Sequence, residues 1–89
     1  MGNGVGFVKR CFTRRANVIE ELALRSEGFR DLCDDFASAN DEKLQWERSS
    51  APEHDERIAE YQELVDSLRI EIEQALDRAA VVPFIRPRR

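Results

Sequence analysis

The sequence predicts an all-α protein: an antiparallel helical hairpin of two long helices, with room for a short helix before them, assembling into a dimeric helical bundle. Three observations carry this. Apolar residues alternate in steps of three and four through the second half of the chain, a looser helical stripe precedes them, and the two are joined by the short linker Ser49-Ser50-Ala51-Pro52. At 36% charged and 42% hydrophobic, with four Gly and three Pro, the 89 residues suit one helix-rich domain and exclude collagen-like or disordered classes.

The first segment, residues 1–16, interleaves Phe7, Val8, Cys11 and Phe12 with Lys9, Arg10, Arg14 and Arg15. Gly2, Gly4 and Gly6 raise the entropy lost on ordering it, so it is expected to be mobile outside the packed body unless paired with the C-terminal segment or a neighbouring chain. A short helix follows over about Asn17 to Arg25, carrying Val18, Ile19 and Leu22. Ser26 is a good N-cap with Glu27 in the first turn behind it. The chain either bends there into a second helix ending near Arg48 or runs through as one helix, since Gly28 costs only about 1 kcal/mol relative to Ala.

The first long helix presents Phe29, Leu32, Cys33, Phe36, Ala39, Asn40 and Leu44 at helical spacing, and Trp46 closes it. After the turn at 49–52, Pro52 with Glu53, Asp55 and Glu56 marks a new helix start, because acid is favoured at the positive end of the helix dipole. From there Ile58, Tyr61, Val65, Leu68, Ile72, Ala75 and Ala79 form a coiled-coil seam, flanked by Leu64 and Leu76. Pro83 sets the latest stop, so this helix covers about 53–80, roughly 42 Å. The hairpin body is thus 17–80, and residues 81–89 form a second basic tail with Val81, Val82, Phe84 and Ile85.

Two stripes of this size bury too little apolar surface for a stable independent domain. Self-association is the expected remedy, through Phe29, Leu32, Cys33 and Phe36 on the first long helix and Ile58, Tyr61, Val65, Leu68 and Ile72 on the second. A second copy of the chain is therefore the first partner expected.

The net charge of −4 is unevenly spread. Lys9, Arg10, Arg14 and Arg15 make the first 16 residues basic, and Arg86, Arg88 and Arg89 do the same for the last nine. All 18 acidic residues lie between them. An acidic body disfavours a nucleic-acid backbone, whereas the two basic ends offer a contact for an anionic membrane surface or an acidic partner. No apolar run approaches the roughly 20 residues that span a bilayer. The early charges follow the apolar residues, the reverse of an export signal, so a cytoplasmic protein is expected, with the inner membrane face within reach of its basic ends. Gly6 stands where an N-terminal lipidation start needs Ser or Thr.

Neither a catalytic nor a metal constellation emerges. His54 is the single histidine and has no Glu three residues before it, so it reads as a solvated residue near the turn. Asp34-Asp35 and Asp41-Glu42 read as a solvated acidic face rather than an acid–base pair. Cys11 and Cys33 have no disulfide or zinc spacing; Cys33 falls on the apolar stripe, and Cys11, among cations, is the more reactive thiol. The expectation is a protein that is not an enzyme and needs no cofactor.

Phe29-Arg30-Asp31-Leu32 with Phe36, Leu44-Gln45-Trp46-Glu47 before the turn, Asp55 after it, and Leu68-Arg69-Ile70-Glu71-Ile72 leading to Leu76 together resemble the YdcH-like family of short bacterial helical-hairpin proteins. The resemblance covers Ser26 to Leu76 and implies a small cytoplasmic hairpin without catalytic residues. Glu71, Glu73 and Asp77 stand where that family tends to be Lys-rich. The functional expectation is a non-enzymatic protein–protein interaction module; the alternative is a peripheral binder of anionic surfaces acting through the basic ends.

Overall fold

A computed structural model describes residues 4–81, with side chains up to Ala79. The Phe84, Ile85, Arg86, Arg88 and Arg89 singled out above lie outside the described residues. Among those described the architecture is all-helical: α1 (Gly4–Cys11), α2 (Ala16–Arg25), α3 (Glu27–Glu47) and α4 (His54–Val81), with a 3₁₀ turn at Thr13–Arg15 between α1 and α2.

The two long helices form the expected hairpin. α3 ends at Glu47 with Arg48 as its C-cap, and in the linker the Ser49 hydroxyl accepts a hydrogen bond from the Ala51 N–H at 3.0 Å. The His54 N–H then donates to the Ala51 carbonyl, and Asp55 and Glu56 occupy the first turn of α4. At the other end of α3 the choice between one helix and two is settled by Ser26. Its backbone is extended, with φ −131° and ψ 112°, and its Oγ accepts from the Phe29 N–H at 3.0 Å. The break satisfies one of the donors a helix start leaves unpaired, and lets α2 fold back instead of extending α3. The Arg30 guanidinium bridges the corner by donating to the Ala23 carbonyl.

The core is built from Phe29, Cys33, Phe36 and Ala39 of α3, Val65, Ile72 and Leu76 of α4, Ile19 and Ala23 of α2, and Val8 of α1. The N-terminal segment expected outside the body is therefore part of it. Val8 is completely buried, Phe7 packs on Phe36 with ring centroids 5.6 Å apart, and Val5 and Phe12 rest against the same cluster. The reason is geometric: Val5, Val8 and Phe12 recur at i, i+3 and i+7, one face of a helix, and Gly4 allows it to come close. Gly4 donates its N–H to Asp34 Oδ1 at 3.1 Å, and a Cβ on Gly4 would stand 2.5 Å from the Asp34 backbone nitrogen. A side chain there would hold α1 off α3. Some of the burial that two stripes alone lack thus comes from the chain's own first helices.

The body is unevenly thick along its length. Around Phe36 and Ile72 the hairpin is covered by α1 and α2, and every fully buried residue lies in that half. Toward the turn only α3 and α4 remain. No residue from 40 to 64 is fully buried, and Trp46, Ile58 and Tyr61 are each half-buried.

Candidate functional site

α1 and the start of α2 cover one side of the hairpin. On α3 they meet Asp34 and Phe36, and on α4 the Arg15 guanidinium pairs with Asp77 at 2.6 Å. Leu32 and Ala75 each stand two residues before one of those acids, about 200° around their helices, and so point the other way. The opposite side of the hairpin is left open except at the pole away from the turn, where the end of α2 reaches Leu32 and Ala75. On this side Leu32, Leu68, Ala75 and Ala79 are only half-buried, and Leu64 keeps 45% of its surface exposed. Positions 64, 68 and 75 lie within about 40° of one another on α4, so these residues make one apolar strip along the open face.

At the pole away from the turn, the strip runs into a groove of about 520 Å³ between the end of α2, the start of α3 and the end of α4. Its floor is Leu22, Phe29, Leu32, Ala75 and Ala79; Arg25, Ser26 and Arg78 stand at its edge. Arg25 and Arg78 occupy the last turns of their helices, where a cation complements the dipole. The groove was not foreseen from the sequence. Leu22, Ala75 and Ala79 were legible as stripe residues, but a cavity shared by three helices leaves no spacing signal.

The residues expected to mediate self-association divide into two groups. Phe29, Cys33, Phe36, Val65 and Ile72 are buried within a single chain. Leu32, Ile58, Tyr61 and Leu68 are half-buried and retain surface to offer. The basic residues also divide. Lys9 pairs with Glu20 at 2.7 Å, depressing the Glu20 carboxyl through the hydrogen bond and the charge of the ammonium, and Arg15 pairs with Asp77. Arg10 and Arg14 are exposed and have no ion pair among the described residues. Phe7 and Phe12, the apolar half of the proposed membrane contact at this end, are packed on the core.

His54 sits half-buried at the head of α4 with Nδ1 2.9 Å from Asp55 Oδ1. Among the described residues no three His, Cys, Asp or Glu side chains converge on a metal-sized site. None of the described helices is long and apolar enough to cross a membrane.

The thiols behave oppositely. Cys11 is exposed, whereas Cys33 has no exposed surface, and burial, aided by the Asp34 charge, pushes its thiol up to about 12. Cys11 is expected to react completely with a maleimide or aromatic disulfide at pH 8 while Cys33 reacts at the rate of global opening; two equally fast thiols in native protein would contradict the packing around Cys33. Because the folded thiol titrates above its ordinary value near 9, folding favours the neutral form. Its contribution is complete below pH 9 and is lost between about 9 and 12, so alkaline destabilisation over that range should be shallower in Cys33→Ala.

Among the described residues the fold is thus one of four α-helices, in which two short helices brace one side of a long hairpin. No family model, curated protein or solved structure matches the chain.

Proposed function

We propose that this chain is a cytoplasmic, non-enzymatic interaction module that self-associates through the uncovered face of its hairpin, in keeping with the YdcH-like hairpins it resembles. The observation that carries the reading is the continuous strip of Leu32, Leu64, Leu68 and Ala75 on the side that α1 and α2 leave open. Two such strips packed together bury apolar surface on both chains and complete a layer of helices on the bare side. Tyr61, about 60° around α4 from Leu64, extends the contact toward the turn, where a single chain is only two helices thick.

Leu64→Glu tests it, because Leu64 is exposed enough for the change to leave one chain folded. Sedimentation equilibrium should show wild-type protein associating at micromolar concentration, and the variant weakened at least about tenfold, or ~1.4 kcal/mol, at unchanged helicity. A wild-type protein that stays a folded monomer overturns self-association. Attachment to anionic surfaces through the N-terminal cations is the weaker reading, since Lys9 and Arg15 are engaged in ion pairs and Phe7 and Phe12 in packing.

A further inference from the structure

We infer that the groove at the pole is a binding site for a single-chain carboxylate with an apolar tail, a free fatty acid in chemical class. The charged side chains at its edge are both cations. Arg25 and Arg78 present guanidinium groups, and neither has an ion-pair partner among the described residues. Ser26 accepts from the Phe29 N–H through its Oγ and keeps its own O–H to give. Among the described residues no carboxylate side chain lines the groove.

A head group suited to that edge accepts hydrogen bonds and carries negative charge; a planar carboxylate matches a guanidinium in a two-pronged pair. The floor is the converse. Leu22, Phe29, Leu32, Ala75 and Ala79 offer no side-chain donor or acceptor, so the body of the ligand must be apolar throughout. About 520 Å³ is within the range of small-molecule sites, and an open trough between helices suits a flexible chain better than a rigid ring system. Leu32 and Ala75 belong to both the strip and the groove, whereas Arg25 and Arg78, which would hold the head group, belong to the groove alone.

Titration of the full-length protein with decanoate, kept below its micellar concentration and followed by amide chemical shifts, tests this. Saturable shifts at Leu22, Phe29, Leu32 and Ala75 are expected, with decyltrimethylammonium binding at least tenfold more weakly. Arg25→Gln combined with Arg78→Gln should weaken decanoate at least tenfold, and Ala75→Phe, which fills the trough, should abolish binding; Arg14→Gln should leave it within twofold, each variant first shown folded by circular dichroism. The inference is overturned if shifts do not saturate, or if both head-group charges bind alike. It is equally overturned if nuclear Overhauser contacts from Phe84 or Ile85 to Phe29 and Leu32 persist at saturating decanoate, for then the chain's own C-terminal residues are the occupant.

Discussion

Phe36→Ala is expected to lower the free energy of unfolding by about 3–5 kcal/mol, the range for truncating a buried phenylalanine. Small domains hold only ~5–15 kcal/mol in total, so the variant should be partly unfolded without denaturant. Phe36 is 1% exposed and sits where three helices meet. Phe7 of α1 packs on its ring, and the Arg69 guanidinium of α4 lies 6.0 Å from its centroid. Truncation therefore empties a space bordered by α1, α3 and α4 at once, and none can collapse into it without abandoning another contact. Urea unfolding followed by far-ultraviolet circular dichroism measures the effect. A change under 1 kcal/mol would show that α1 does not pack there.

The second large effect is Val8→Asp. Val8 has no exposed surface; Lys9 is already paired with Glu20, and Arg10, two residues on and about 200° around α1, is exposed on the other side. A carboxylate in place of Val8 loses its hydration without gaining a partner, a penalty of several kcal/mol. An eight-residue helix cannot hold itself together in water, so the expected response is release of α1 from the hairpin. Hydrogen exchange should show α1 amides losing protection while the centre of α3 and α4 keeps some. Burial disfavours the charged form, raising the new carboxyl above the ordinary carboxylate range, so part of the lost stability should return as pH falls toward 4. Val8→Ala, which removes two methyl groups and adds no charge, should cost only about 2 kcal/mol and keep α1 docked. Equal losses in the two variants would mean that Val8 is not enclosed.

The parts of this fold legible in sequence are those whose signal is local. Ile58 to Ala79 repeats without interruption, Pro52 with three acids marks the start of α4, and Ser26 has the side chain a helix cap needs; all three fall where the structure puts them. α1 was obscured because two readings of the same residues compete. Gly2, Gly4 and Gly6 look like a segment too entropically expensive to order, yet Gly4 is what lets α1 touch Asp34. Only a partner 30 residues away separates those readings, and a window of sequence does not contain it. The same holds for the groove, whose walls come from Leu22, Phe29 and Ala75 on three different helices. Periodicity identifies the apolar face of each helix but not which faces a third helix will cover.

The uneven thickness of the hairpin has a consequence for cooperativity. Between 40 and 64 each side chain is enclosed by one neighbouring helix at most, while the half around Phe36 and Ile72 is braced by α1 and α2. The turn end therefore has its own, lower opening free energy and frays and recloses many times for each global unfolding event. Substitutions at Trp46, Ile58 or Tyr61 will then register chiefly as faster amide exchange near the turn and leave the denaturant midpoint almost unmoved. A substitution in the braced half shifts both together.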